Sequence, residues 1–248
     1  MTPAPDGQVA YENPSIICSD DGNTWSVPVG LTNPIDPQPT PYYNSDTDII
    51  VDSGGVMWCY YLESTSGSGN DYVQVRSSSD GITWSAQTTL ITDVYPNMES
   101  PAIVYDGTQY VMWHIDPSHT PYQLSRRICS TPNGTWSSAS ACTIINKPAG
   151  KDLWHIDVVK RGQIYNAFIV CCNSGDTGLG SILYFATSTD GITWTLNLSP
   201  LLSPSAGWDN ERIYRSSGIS TATGYDLWYP AYDLSNHWHI GRTTVTLS

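Results

Sequence analysis

Short apolar runs rich in aromatic and β-branched residues recur along the chain, separated by polar stretches that contain Gly, Asn, Asp and Ser. The aromatic runs are VMWCY at 56–60, VMW at 111–113, IYNAF at 164–168 and YDLW at 225–228. An acid-led β-branched run precedes each of them, and an alternating run follows the first three. This pattern predicts β-strands joined by tight turns, with no need for a helix between them.

A seven-residue phrase follows the third strand of each repeat. It reads SDDGNTW at 19–25, SSDGITW at 78–84 and STDGITW at 188–194, with a degenerate copy, STPNGTW, at 130–136. Asp-Gly and Asn-Gly favour the positive φ angles of tight turns, and Ser and Asp side chains can bond the backbone N–H groups of the loop. We interpret the phrase as an Asp-box-like turn whose Trp opens the fourth strand.

The phrase returns about every 55 residues, a period that is typical of propeller blades. We therefore predict an all-β fold, a five-bladed β-propeller with four-stranded antiparallel blades and an incomplete first blade. The predicted blade segments are 10–30, 46–95, 99–146, 155–202 and 210–248, within a single domain that spans 1–248. The first and last segments lack strands, so either the gene is truncated or the two ends pair to close the ring.

The charge balance narrows the class of partner. The 248 residues include 10 basic and 23 acidic side chains, a formal net charge of -13. Such a chain should repel nucleic acid, because phosphate binding needs clustered Lys and Arg. No apolar run approaches the roughly 20 residues that span a bilayer, and no signal peptide is recognisable. We expect a monomer that binds neither nucleic acid nor membrane and is extracellular or virion-associated.

Acidic residues recur where the innermost strand of each repeat begins. The set is Glu12, Asp46, Asp48, Glu99, Asp157 and Glu211. Inner strands line the central channel of a propeller, and acids that converge on one pocket raise each other's pKa. One can then act as acid and another as base, as glycoside hydrolysis requires. The same side chains could instead cap turns, face solvent or bind a structural calcium ion; no cofactor is predicted.

Three phrases around these acids resemble glycoside hydrolase family 43, a family of five-bladed propellers. They are DTDI at 46–49, ESPAI at 99–103 and WHIDV at 154–158. The resemblance implies that Asp46 is the general base, that Glu99 is the general acid and that Asp157 modulates the pKa of that acid. The phrases are also similar to glycosidase-like propellers of phages, other viruses and bacteria.

The aromatic composition of the chain indicates a carbohydrate ligand. The chain has 10 Trp and 16 Tyr but only 2 Phe, and Trp and Tyr can stack on sugar rings while offering a polar edge. Trp154 and Trp208 are candidate sugar platforms, unless they pack between blades, and His155 is a candidate hydrogen-bond donor rather than a metal ligand. The predicted substrate-binding residues are Glu12, Asp48, Trp154, His155, Trp208, Glu211 and Arg212.

These features predict a glycoside hydrolase that acts on a polysaccharide or oligosaccharide at the central pocket. The alternative is a non-catalytic carbohydrate- or receptor-binding propeller of a viral particle or secreted protein, with an aromatic groove but no carboxyl pair at working separation. A third hypothesis is a purely structural propeller, whose channel mouth would be blocked or featureless.

Overall fold

The computed structural model describes residues 11–37, 42–65, 69–176, 178–235 and 237–246. Over these ranges the regular structure consists of β-strands, arranged in four sheets. The predicted all-β propeller is confirmed as a fold class. The predicted boundaries at residues 10 and 248 lie outside the described residues. None of the described residues belongs to a helix long and apolar enough to cross a membrane.

Each sheet follows the chain from its inner to its outer strand. The first contains β1 (Tyr42–Val51), β2 (Met57–Thr65), β3 (Asn70–Ser78) and β4 (Thr88–Val94). The second contains β5 (Glu99–Tyr105), β6 (Tyr110–Asp116), β7 (Gln123–Cys129) and β8 (Ser140–Ala141). The pairs within these two sheets are antiparallel, as predicted.

The other two sheets depart from the four-strand pattern. The third contains β10 (Lys151–Arg161), β11 (Ile164–Asn173), β12 (Ile182–Ser188) and β13 (Thr193–Leu196), and β9 (Thr143–Ile145) pairs parallel with β13 at its outer edge. In the fourth, β14 (Arg212–Ile213) and β15 (Ser217–Ser220) form an interrupted inner strand beside β16 (Gly224–Tyr232), and β17 (Trp238–Thr246) is the outer strand. With β14 and β15 counted as one inner strand, the fourth sheet has three strands, as expected for a last repeat that ends after its third strand.

The segment predicted as an incomplete first blade is irregular over its described residues. Within the described part of the chain, residues 11–37 contain one bridge, between Cys18 and Ser26, and no sheet. The structure thus has four sheets where five blades were predicted, and the segment predicted as an incomplete first blade forms no ladder within its described residues.

The irregular segment nevertheless lies between the fourth sheet and the first. Trp228 Nε1 of β16 donates to the carbonyl oxygen of Gly22 at 3.1 Å. The same contact joins the second and third sheets, where Trp113 Nε1 donates to Gly191 O at 2.7 Å. On the other side, the N–H of Asn44 in β1 donates to Glu12 O at 2.9 Å. The N-terminal segment thus occupies the place of a blade and bridges the two ends.

Apolar clusters fill the spaces between neighbouring sheets. Between the second and third sheets, Trp113 and Trp194 are fully buried with ring centroids 5.6 Å apart. Burying one such ring stabilises the fold by about 3 kcal/mol. Gly191 lies against this contact with a φ of +68°, and a Cβ there would meet Trp113 Cζ2 at 2.8 Å. Only glycine suits both demands.

The repeated turns lie at the opposite end of the sheets from the inner-strand acids. In the second copy, Ser78 Oγ accepts the N–H of Gly81, and Asp80 Oδ1 accepts those of Ile82 and Thr83, at 2.7 to 2.8 Å. Ser78 pairs with Met57, which in turn pairs with Val51 at the far end of β1. The hydrogen bonding predicted for the turn is present, and the turns frame the face away from the pocket.

Candidate functional site

A cavity of about 260 Å³ opens where the inner strands begin. Its wall combines side chains from β1, β2, β5 and β10 with residues from the loop before β5, one residue after β14 and one from the N-terminal segment. The residues with polar side-chain groups for a ligand include Glu12, Tyr43, Ser45, Asp46, Ser64, Tyr95, Glu99, His155 and Tyr214. Of the predicted site residues, Glu12, Asp46, Glu99, Trp154 and His155 therefore meet at one pocket.

A local irregularity in every inner strand forms this wall. The pairing register shifts between Ser45 and Asp48 in β1, and between Leu153 and His155 in β10. A similar shift follows Glu99 in β5, and the fourth sheet breaks its inner strand at residues 214–216. Asp46 has a left-handed φ of 50°. Bulges of this kind bend a strand and re-aim side chains, and strained residues cluster at functional sites.

Asp46 and His155 form the centre of the pocket floor. Asp46 Oδ1 lies 3.5 Å from His155 Nδ1, and Asp46 Oδ2 accepts the N–H of Ser100 at 3.1 Å. His155 is 2% exposed. Burial lowers the pKa of His155 to about 4. The negative charge of Asp46 opposes this shift, and the positive charge of Arg215 adds a smaller contribution in the same direction as burial. The imidazole is therefore neutral at pH 7 and able to accept a proton.

Two further carboxyl groups share the pocket with Asp46. Burial, reinforced by the negative charges of Asp46 and Asp71, raises the pKa of Glu99 to about 8. Burial and the Asp46 charge raise the pKa of Glu12 to about 7. Glu99 thus holds a proton at neutral pH and can act as a donor, whereas Glu12 titrates near neutrality.

Several buried polar atoms of the pocket lack a protein partner. Glu99 Oε2 and both ring nitrogens of His155 make no hydrogen bond to the described residues. Buried polar groups are normally satisfied, and each exception calls for an explanation such as a bound molecule. His155 Nδ1 faces Asp46, so Glu99 Oε2 and His155 Nε2 are the two atoms here that are consistent with a polar ligand completing the site.

Two aromatic side chains close one side of the pocket. The rings of Trp154 and Tyr214 meet edge to face with centroids 4.9 Å apart, and Tyr214 lies 4.1 Å from the His155 ring. Gly178, at a φ of +92°, contacts the Trp154 ring so closely that no Cβ would fit. Burial and the nearby acids raise the pKa of Tyr214 well above its ordinary value, so its hydroxyl stays protonated and can donate.

Asp48 and Asp157 are not part of this wall. Asp157 Oδ2 accepts the N–H of Gly218 at 3.0 Å, and Asp48 Oδ2 accepts that of Ile103. Each carboxylate therefore ties its inner strand to the next sheet. Burial is the main cause that raises both pKa values, that of Asp48 to about 7, and Arg215 opposes the rise in both.

The three remaining predicted residues lie on the fourth sheet or just before it, away from the pocket wall. Glu211 pairs with Arg212 at 3.3 Å, and Arg212 lies 5.6 Å from the Tyr232 ring centroid. Trp208 stacks on Tyr229 at 5.6 Å. Among the residues that the structure describes, no group of three or more His, Cys, Asp and Glu side chains is arranged to hold a metal ion.

Tyr43 and Tyr214 are pocket residues that the sequence patterns did not single out. Tyr43 precedes Asp46 on β1, and Tyr214 follows directly after β14. An aromatic residue next to an acid-led phrase is a weak signal in a chain with 16 Tyr. The interruption of the inner strand that aims Tyr214 inward has no marker in the sequence.

Comparisons with known proteins identify carbohydrate-active relatives. No family model matches the chain. The chain is 30% identical over 280 residues to the A type blood N-acetyl-α-D-galactosamine deacetylase of Flavonifractor plautii, an alignment that covers 89% of this chain and 36% of that protein. The chain thus spans little more than a third of the length of this curated relative.

Solved structures show the same architecture. An N-acetylgalactosamine deacetylase from F. plautii, in complex with blood group B trisaccharide, has a TM-score of 0.85 and 25% identity, covering 96% of this chain and 82% of that one. An exo-1,5-α-L-arabinanase from a bovine ruminal metagenomic library has a TM-score of 0.67 and 13% identity, covering 94% and 86%. The second likeness concerns the fold alone.

Proposed function

We propose that this chain is a hydrolase of N-acetylated amino sugars, which removes the acetyl group at the central pocket. The observation that carries the proposal is a cavity in which a neutral His155, whose Nε2 makes no hydrogen bond to the described residues, lies beside Asp46 and shares the pocket with a protonated Glu99. The similarity to the F. plautii deacetylase, by sequence and by fold, supports an amide of an amino sugar as the bond that is cut. The chain spans only part of that relative, so deacetylation by this chain is our proposal.

The geometry suggests how the residues would share the reaction. Water attacks the acetamide carbonyl carbon and gives a proton to Nε2 of His155, while Asp46 beside Nδ1 stabilises the resulting imidazolium. The new C–O bond makes a tetrahedral oxyanion, to which the Tyr214 hydroxyl can donate a hydrogen bond. Glu99 supplies a proton to the nitrogen as the C–N bond breaks. The products are acetate and the free amino sugar.

Glycoside hydrolysis is the second candidate for the same pocket. Asp46 and Glu99 both line it, and the raised pKa of Glu99 suits a general acid. Such a pair is the minimum that the reaction needs. The candidate retains the roles expected for Asp46 and Glu99, but Asp157 would have to act from outside the pocket wall.

Product analysis separates the two reactions. The purified protein is incubated with glycans that end in N-acetylgalactosamine, and the masses of the products are measured by mass spectrometry. Loss of an acetyl group from an intact glycan supports the proposal; release of the terminal sugar supports glycoside hydrolysis instead. Binding without any change in the glycan would favour the non-catalytic alternative.

The matched pair of variants for this assay changes Asp46, within β1, and Asp52, directly after β1. Asp46→Asn alters the pocket and should abolish the reaction. Asp52→Asn alters a carboxylate that bonds the N–H groups of Gly54 and Val56 in the turn after β1, on the far face. It should leave product formation unchanged, so equal losses in both variants would point to misfolding or to a wrong site.

A further inference from the structure

An aromatic rim continues from the pocket onto the hairpin between β16 and β17. Trp238 meets the Tyr214 ring edge to face at 5.2 Å, and Tyr232 lies 4.8 Å from Trp238. The two rim residues face each other in the register of the hairpin. Both are partly exposed, so the apolar wall that starts inside the cavity reaches solvent.

The position of the rim is fixed by backbone bonds. The N–H of Tyr214 donates to Pro230 O at 2.9 Å, and that of Glu211 donates to Tyr232 O at 3.1 Å. These bonds hold the end of β16 against the start of the inner strand. Trp238, which pairs with Tyr232, is therefore held beside the pocket mouth by the sheet itself and not by a long loop.

The cavity is small for a glycan. Ligand pockets that enclose a drug-sized molecule measure roughly 300–1,000 Å³, and this one holds about 260 Å³. It can enclose about one sugar ring. The remaining units of an oligosaccharide must then leave through the mouth, and the rim formed by Trp238 and Tyr232 offers aromatic surface beside the pocket residue Tyr214.

We propose that Trp238 forms a second sugar-binding position, which holds the unit next to the sugar that carries the acetyl group. The inference rests on the proposed function and deepens it, because it makes the substrate a glycan of two or more units rather than a free monosaccharide. Aromatic faces stack on sugar rings and retain a polar edge.

The inference selects Trp238 over Trp208, the tryptophan that the sequence favoured in this region. Trp208 is 39% exposed, but its ring stacks on Tyr229 and packs against Gly241 and His239. It has no ring contact with Trp154 or Tyr214 in the described structure. The two tryptophans lie on the same part of the chain and can be tested side by side.

The test compares a methyl glycoside of N-acetylgalactosamine with a trisaccharide that ends in the same sugar. For Trp238→Ala we expect the KM for the trisaccharide to rise about 10-fold, the upper range of one aromatic stacking contact. The KM for the methyl glycoside should change less than about 2-fold. Trp238→Phe, which keeps a ring, should recover most of the loss, and Trp238→Leu, which keeps apolar volume, should not.

Other outcomes overturn the inference. A KM that rises equally for both substrates, or a trisaccharide KM that Trp208→Ala raises and Trp238→Ala does not, rejects Trp238 as the second position. Trp84→Ala, in a repeated turn on the far face, controls for general loss of aromatic surface. If no reaction is found, calorimetric binding of the same two ligands decides: a preference for the trisaccharide that Trp238→Leu removes supports the rim while the proposed reaction fails.

Discussion

The carboxylate of Asp46 lies 3.5 Å from Nδ1 of His155, across the channel between the inner strands of the first and third sheets. The second sheet takes part through the N–H of Ser100, which bonds the other oxygen of Asp46. Three repeats that are far apart in sequence thus hold one acid–imidazole pair. Because each contact crosses between sheets, the pair can exist only when the propeller is closed around it.

The first prediction concerns this pair. His155→Gln removes the proton acceptor but keeps much of its volume, and Asp46→Asn removes the charge that stabilises the imidazolium. We expect each to lower kcat at least about 100-fold, the usual contribution of general acid–base catalysis. The double variant should be little worse than either single one, since the two groups act as a unit. Independent, additive losses would show that they have separate roles.

The second prediction is a pH profile. The pKa of Glu99 is about 8, and the proposed reaction uses its protonated form, so activity should fall as the pH rises through 8. In Glu99→Gln the remaining activity should be lower and should lose this alkaline limb. An unchanged alkaline limb in the variant would assign the limb to another group.

The third prediction follows from linkage. A carboxyl whose pKa is raised from 4.5 to about 8 on folding binds more protons folded than unfolded between these values, so its contribution to stability falls as the pH rises through them. Glu99→Gln should therefore be more stable than the native protein at pH 9, by on the order of a few kcal/mol. The difference should vanish near pH 4, as urea unfolding at the two pH values can show.

The fourth prediction concerns the packing between the second and third sheets. Gly191→Ala places a methyl group 2.8 Å from Trp113 Cζ2 at a φ of +68°. Gly55 has a φ of +80° and open space around it, so Gly55→Ala carries the backbone strain alone. We expect Gly191→Ala to lower the free energy of unfolding by about 1–3 kcal/mol more than Gly55→Ala. Equal losses would mean that the Trp113 contact is not tight.

The fifth prediction concerns Arg215, whose positive charge lowers the pKa of both Asp48 and Asp157. Arg215→Met leaves two carboxyl groups without a counter-charge and should cost about 3 kcal/mol of stability above pH 7. The loss should shrink towards pH 5, because both carboxyl groups have raised pKa values and can take up protons. Adding Asp157→Asn should restore part of it. Arg161→Met, which changes a partly buried arginine at the end of β10 that donates to Ala222 O, is the control.

Most of the fold could be predicted from the sequence, because each repeat is specified by residues that lie close together in the chain. Each turn needs its own Ser, Asp and Gly, and each strand its own apolar face, so the copies at 78–84, 130–136 and 188–194 predict the first three sheets one by one. The number of sheets was harder to predict from the sequence. Whether residues 11–37 form a sheet depends on how many strands the segment can offer, and the single bridge at Cys18 shows that it offers too few.

The site could be predicted only in part from the sequence, because β-bulges change the direction in which the side chains of a strand point. In a regular strand Asp46 and Asp48 would share a face, but the register shift before Asp48 separates them. His155 and Asp157 follow their bulge and do share a face; Asp157 then lies about 7 Å further along the channel. An acid-led phrase thus does not show at which depth each carboxyl lies.

The central claim is that acetyl transfer to water takes place at Asp46 and His155, and acetate release measures it most directly. With a glycan that ends in N-acetylgalactosamine, the native protein should release acetate and free amine in equal amounts. Asp46→Asn and His155→Gln should release neither, while Asp52→Asn matches the native protein. Acetate release that persists in both pocket variants, or reducing sugar formed without acetate, would contradict the account.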